Sequence, residues 1–387
     1  MTRATATPAS ASARVWPLYA GGFLGPYGST MVTPMLHEVA RGLDSTESAV
    51  AAAVTAYMLP FAGLMLVSGT LAERWGRRRT MQISLVVFVL ASAWCALAPD
   101  LLWFLAGRAV QGATNAFTTP LLVAAIGDLV PRERLGRALG WFGAMQAAGQ
   151  AFSPLVSGLS ATVDWRLAFA FPALVALVLA ALPPGEEAAA RRASGKPSWR
   201  ALLSGQLALA CALSFLCYLA AVGLTVLGTL RAQEVFGLGP AERGLVSASF
   251  GVAGILAAGS LGRWLDRLGP QAVGLVMNVL LAAGVLLAAF AGFAGLLVTG
   301  IVLAGAAVTG LRSTVNSLAV TSAPDNRGGA SSVALSFQFF GGALAPAVWV
   351  PLYQSADSWG FAAGALAPVL AIILLAARRD PLGAGPR

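Results

Sequence analysis

"GTLAERWGRRRT" (Gly69–Thr80) packs Glu73, Arg74, Arg77, Arg78 and Arg79 into a dozen residues, and the chain on either side is almost without charge. Ser48 to Ser68 carries no ionisable group except Tyr57, and Met81 to Pro99 carries only Cys95. Each flanking run is about as long as the roughly 20 apolar residues needed to cross a bilayer. A short, basic turn with two glycines between two such runs reads as a connection on the cytoplasmic side of a membrane, where Lys and Arg accumulate.

The rest of the chain extends that reading. It has 387 residues, 57% hydrophobic and 11% charged, with mean hydropathy +0.76. Soluble domains carry about 25% charge, so this chain has too little to cover a surface facing water. Twelve candidate spans follow, near 15–38, 47–70, 81–98, 101–127, 137–160, 165–183, 203–229, 243–262, 271–292, 295–319, 330–353 and 359–377. The expected fold class is therefore an all-α membrane protein of 12 transmembrane helices. Of the 25 Lys and Arg, 19 fall in the two tails and the even-numbered connections, which puts both termini in the cytoplasm. The net charge of +9 thus faces the bilayer surface, and no nucleic-acid partner is expected. Seven of the ten tryptophans (Trp16, Trp75, Trp103, Trp165, Trp199, Trp264 and Trp359) fall at span ends, as interfacial anchors do. Residues 1–13 are polar and lead straight into the first span, so no cleavable signal is expected. Cys95, Cys211 and Cys217 lie in apolar segments with no metal or disulfide spacing. With one histidine and no nucleophile–base set, neither an enzyme nor a cofactor is expected.

The chain also repeats itself at an offset of 193. Gly69, Glu73, Arg74 and Gly76 fall on Gly262, Asp266, Arg267 and Gly269; Pro131, Arg134 and Gly136 fall on Pro324, Arg327 and Gly329; Gly112 falls on Gly305, Gly149 on Gly342 and Asp164 on Asp357. Recurrence in separate regions reads as duplication: an amino-terminal bundle of six helices (1–182), a polar cytoplasmic linker (183–202) and a carboxyl-terminal bundle of six (203–387). Parallel six-span repeats are a transporter architecture with the substrate site at their interface, near mid-membrane.

These stretches resemble the major facilitator superfamily. "GTLAERWGRRR" is similar to its signature between the second and third spans, and "GRWLDRLG" (Gly262–Gly269) to the echo of that signature in the second half. "RAVQG" (Arg108–Gly112) resembles the fourth-span signature, and "VPRERLGRALG" (Val130–Gly140) the usual 4–5 connection. "GQAFSPLVSG" (Gly149–Gly158) is similar to the fifth-span signature of the drug:proton antiporter branch. The resemblance implies a monomeric secondary transporter of the cell inner membrane. Its partners would be a small-molecule cargo, protons and the lipid bilayer, and it would export a hydrophobic or amphipathic compound by alternating access. A proton-independent facilitator, an organic-anion uptake system and a non-transporting sensor are the alternatives.

The resemblance also implies that the acid at Glu73 latches the two halves on the cytoplasmic side. Gly69, Arg74, Gly76, Arg77, Asp128, Asp266 and Arg267 complete this conformational gate. Topology alone is the other reading of these charges. Arg108, Gln111 and Asn115 share one face of span 4 at i, i+3 and i+7. An arginine inside a span costs about 2.5–3.5 kcal/mol to insert, so it faces protein or water. The resemblance gives Arg108 a part in proton transfer or in a charge network; a snorkelling anchor is the alternative. Span 10 repeats the stripe with Arg312 and Asn316, where Arg312 meets either an anionic cargo or the inner headgroups. Gln146 and Gln150 line one face of span 5. Tyr27, Tyr57, Trp141, Tyr218 and Phe337 are aromatic candidates for the cavity, and the Gly/Pro runs of spans 1 and 11 are expected to break their helices. No span interior carries a carboxylate. Coupling, if by protons, is expected at Glu38 beside His37 near the outer end of span 1, within reach of Arg108.

Overall fold

In the computed structural model residues 16–181, 204–323 and 326–377 are described. Within them the side chains of Thr70, Glu73, Asp128, Arg132, Glu133, Leu135 and Arg327 fall outside the description, as does the expected linker. The described residues form helices and turns, with no strand among them. The first half comprises α1 (16–21), α2 (Leu24–Thr30), α3 (Leu36–Gly42), α4 (Glu47–Trp75), α5 (Arg77–Ala96), α6 (Leu101–Leu129), α7 (Arg132–Ala161) and α8 (Ala170–Ala181). The second comprises α9 (Gly205–Glu234), α10 (Pro240–Ala289), α11 (Ala294–Ser322), α12 (Arg327–Ala362) and α13 (Leu366–Ala376).

Short polar side chains set where these helices start. Thr46 accepts from the Ala49 amide (3.2 Å), Asp100 from Trp103 (2.9 Å), Ser204 from Leu207 (3.1 Å) and Asn326 from Gly329 (3.1 Å). Each such cap contributes about 1 kcal/mol and satisfies a donor the helix leaves orphaned. Glu47–Ser68, α5, α9, α10, α11 and the stretch Gly328–Ala376 are each long and apolar enough to cross a membrane.

The 193-residue repeat recurs as geometry. Gly76 adopts φ +88° between α4 and α5, and Gly269 adopts φ +79° inside α10, a conformation that favours glycine. At a rise of 1.5 Å per residue an unbroken α10 would run about 75 Å, far beyond a hydrocarbon core of about 30 Å. Gly269 divides it. A Cβ on Gly112 would lie 1.9 Å from the Tyr57 carbonyl oxygen, and one on Gly305 would lie 2.1 Å from that of Phe250. Tyr57 and Phe250 are again 193 apart, so the same backbone-to-backbone helix contact occurs in both halves. We expect Gly112→Ala to destabilise the purified protein by about 1–3 kcal/mol, the usual cost of overpacking. Gly63→Ala, where nothing lies within 4 Å, should leave its thermal unfolding midpoint unchanged.

The halves meet along α4 with α12 and along α7 with α10. A Cβ on Gly158 would lie 2.5 Å from the Pro240 carbonyl oxygen, and one on Gly244 would lie 2.5 Å from that of Pro154. The glycine–proline run of span 5 therefore sits against span 8. Small residues at the contact are how helices associate without a hydrophobic drive between them. Thr55 adds a hydrogen bond across the other seam, donating to the Ala343 carbonyl at 2.6 Å.

Span 1 is broken as its glycines and prolines suggest, by turns between α1 and α2 and by a short 3-10 segment, Thr33–Met35, before α3. Span 11 is not. α12 runs on through Pro346 and Pro351, and its backbone breaks only at Asp357 (φ +49°). Its glycines serve close packing instead: a Cβ on Gly341 would lie 2.1 Å from the Phe215 carbonyl oxygen.

Candidate functional site

Three polar sites stand out among the described residues. The first is a polar core inside the amino-terminal half. Arg108 on α6 is 0% exposed. Its guanidinium donates to Gln111 Oε1 (2.7 Å) and to the Gly28 carbonyl (2.5 Å), and lies 4.5 Å from the centre of the Tyr57 ring. Gln111 donates onward to Ser92 Oγ (2.8 Å), and Asn115 donates to the Tyr57 hydroxyl (2.6 Å), which itself donates to the Gly25 carbonyl (3.1 Å). The i, i+3, i+7 stripe of α6 thus ties the broken first span to α4 and α5. Neutral dipoles and a ring face hold the charge, and no carboxylate is among these partners.

That arrangement corrects two expectations. Arg108 does not meet Glu38, because the gap in the first span presents the Gly28 carbonyl to it instead. Tyr57 is buried in the half's interior rather than lining a cavity, and Tyr27, also fully buried, packs its ring against Phe23 and Phe171.

The second lies between the halves. A small cavity of about 40 Å³ is lined by Gln146 and Gln150 of α7, Tyr218 of α9, Arg312 of α11, and Gln338 and Phe339 of α12, with residues of α2 and α4. Arg312 is the charged residue among its lining, and no carboxylate faces it. A second space of about 30 Å³ continues past Gln150 and Tyr218 towards Thr33 and Ser247. Phe61 meets Phe339 edge-on at 4.3 Å across the seam. These volumes are far below the roughly 300–1,000 Å³ of a drug-sized site. Between α9 and α12 lies a larger opening of about 780 Å³, lined by Ser204, Ala208, Cys211, Phe215, Val333 and Phe337. Trp141 is 53% exposed, and Asn316 is exposed and accepts from Ser331 Oγ at 3.2 Å, tying α11 to α12.

The third joins the halves. Arg243 of α10 is 2% exposed and donates to Glu38 of α3 and to Gln233 of α9. His37 Nδ1 lies 2.7 Å from Glu47 Oε1 and 2.7 Å from Gln233 Nε2, and Gln233 Nε2 is 3.0 Å from the same Glu47 oxygen. Nδ1 cannot serve both neighbours at once. Protonated, it donates to Glu47; unprotonated, it accepts from the Gln233 amide. Five side chains from both halves therefore share a network whose pattern depends on which His37 ring nitrogen carries the hydrogen. Sequence reasoning found Glu38 and His37 but missed Glu47, Gln233 and Arg243 as their partners. Only a polar residue at a span end, common to many interfacial positions, signalled them.

On the Gly76 face, Arg74, Asp266 and Arg267 are exposed and Arg77 is half-buried. Gly69 lies within α4, and the side chains of Glu73 and Asp128 lie outside the described residues.

The sequence profile of the Major Facilitator Superfamily matches residues 18–346, and again 222–386. The chain belongs to this superfamily. Its similar curated proteins include the puromycin resistance protein pur8 of Streptomyces alboniger, 37% identical over 152 residues (38% of this chain, 30% of that protein). The multidrug resistance protein B homolog of Mycobacterium tuberculosis is 33% identical over 157 residues (40% and 29%). The uncharacterized transporter EfpA of the same species is 31% identical over 157 residues (40% and 30%). The match spans about 30% of the length of these relatives. A bacterial homolog of the human lysosomal transporter Spinster, solved in an inward-facing, unoccupied conformation, shares the fold with a TM-score of 0.70 at 15% identity, covering 96% of each chain. The named relatives are described as resistance proteins and transporters, and the match to the superfamily runs through both halves of the chain.

Proposed function

We propose that this transporter exports a neutral or anionic amphipathic small molecule across the cell inner membrane by alternating access, in exchange for protons. In this reading the chain crosses the bilayer twelve times with both termini in the cytoplasm. Bundles 1–182 and 203–387 rock about the α4/α12 and α7/α10 seams, as a monomer, joined by the linker 183–202. The Gly76 turn, with Gly69, Glu73, Arg74, Arg77, Asp128, Asp266 and Arg267, sets the balance on the cytoplasmic side. The drug-resistance relatives support export. Arg312, facing a cavity without a carboxylate, supports cargo that needs no negative partner.

The observation that carries the reading is the cross-half cluster of Glu38, His37, Glu47, Gln233 and Arg243. It holds the outer ends of the halves together, and protonating its carboxylates removes the ion pairs that do so. Proton arrival from outside would therefore be coupled to opening. Arg108 holds the first span in the shape that presents Glu38.

The test is a liposome assay with an imposed inward proton gradient, using a panel of puromycin-like and anionic amphiphiles. Gradient-driven efflux should occur in the wild type and be lost in Glu38→Gln/Glu47→Gln. Efflux indifferent to the gradient would favour the facilitator. Efflux that is still gradient-driven in the double variant would place coupling elsewhere.

A further inference from the structure

A further cavity, of about 610 Å³, lies among α4, α5 and α6 of the amino-terminal half. It is lined by Arg74 and Trp75 at the end of α4, Arg79, Thr80, Ile83 and Ser84 on α5, and Thr114 and Phe117 on α6. Its polar end is at the Gly76 turn, where Arg74 and Arg79 have no ion-pair partner among the described residues. Thr80 is 6% exposed, and its buried hydroxyl oxygen has no hydrogen-bond partner. Such a group costs free energy unless something occupies the space before it. Trp75 and Phe117 stack at 6.0 Å, and Trp75 and Ile83 are both more than half exposed. The pocket therefore has a cationic, hydroxyl-bearing head and an apolar flank that continues along α5.

The duplication supplies a control. At the 193 offset, Thr80, Ser84, Thr114 and Phe117 become Val273, Met277, Ala307 and Gly310, and Arg79 becomes Ala272. In the second half Met277 fills the space: a Cβ on Gly310 would lie 2.7 Å from Met277 Cγ. The fold packs there without a hydroxyl or a second arginine, so the first half's open polar version is not a requirement of the architecture.

We propose that this pocket binds the headgroup phosphate of an anionic phospholipid in the leaflet beside the Gly76 turn, with Arg74 and Arg79 on the phosphate, Thr80 donating to it and an acyl chain lying along Ile83, Val87 and Phe117. The charge matches the headgroup, and basic pockets between membrane helices are where anionic headgroups bind. Because Arg74 and Gly76 belong to the turn that separates α4 from α5, an occupied pocket ties the two helix ends together.

The test uses the full chain purified in a neutral detergent and titrated with short-chain phosphatidylglycerol, phosphatidylcholine or inorganic phosphate, read by thermal stability and by native mass spectrometry of retained lipid. Phosphatidylglycerol should bind saturably and stabilise the protein, while phosphatidylcholine should not. Arg79→Gln should weaken binding about tenfold, the usual effect of losing one charge-assisted hydrogen bond. Thr80→Val/Ser84→Met, which installs the residues that pack well in the second half and keeps both arginines, should abolish it. Equal stabilisation by both lipids, or unchanged binding in Thr80→Val/Ser84→Met, would overturn the proposal. Protection by inorganic phosphate alone would reassign the site to a free anion. Competition by transported cargo would reassign it to the transport pathway.

Discussion

Arg243→Gln is expected to open the outer face. Arg243 is buried and holds both Glu38 and Gln233, so the substitution leaves Glu38 as a part-buried carboxylate without its counter-charge. Removing one member of a buried ion pair costs about 3–5 kcal/mol. At about 1.4 kcal/mol per tenfold, that shifts the balance between closed and open outer faces by about 100-fold or more. Thr33, 4% exposed on the short segment that leads into α3, is the reporter. A cysteine there should be labelled from outside much faster in Arg243→Gln, and Glu38→Gln/Arg243→Gln should recover part of the protection, since it strands no charge. Unchanged labelling would mean that the cluster does not close the face. The native Cys95, Cys211 and Cys217 are buried and give little background.

The second large effect is at Arg108. Arg108→Ala removes two charge-assisted hydrogen bonds, leaving the Gly28 carbonyl and Gln111 without their donor in a buried core. Bonds to charged groups contribute about 1.5–3 kcal/mol each. The loss falls on the last turn of α2, just before the break in the first span. Export is expected to drop about 100-fold or more while the protein still inserts. Arg108→Lys should rescue little, because a single ammonium nitrogen cannot stand where the two separate guanidinium nitrogens donate, nor stack as a plane on the Tyr57 ring. Normal export by Arg108→Ala, at normal abundance in the membrane, would contradict the role of this core.

Much of the fold was legible because membranes impose simple rules. The charge-poor runs around Gly69–Thr80 fixed spans 2 and 3, and the 193 offset anticipated that Gly76 and Gly269 would make the same turn. The stripe Arg108, Gln111, Asn115 was legible as one helix face, since i, i+3, i+7 spacing is a property of the helix alone. What that face touches was not: the Gly28 carbonyl becomes a partner only because span 1 breaks, and backbone acceptors leave no mark in a side-chain pattern. The cross-half cluster was legible only in part for a similar reason. Glu38 and Arg243 are separated by 205 residues, and nothing local distinguishes a residue that pairs across the seam from one that faces headgroups. The break expected in span 11 failed because proline within a membrane helix does not by itself unwind it. There the glycines answer to a neighbouring backbone instead.

The most direct test of the account is the distance between the outer ends of the two halves. Spin labels at Arg41→Cys and Val235→Cys, both exposed positions on either side of the cluster, would be measured by pulsed electron resonance in liposomes at neutral and acidic external pH. The account predicts two distance populations, with the longer one growing on external acidification and dominating in Arg243→Gln. A single distance that responds neither to external pH nor to Arg243→Gln would contradict it.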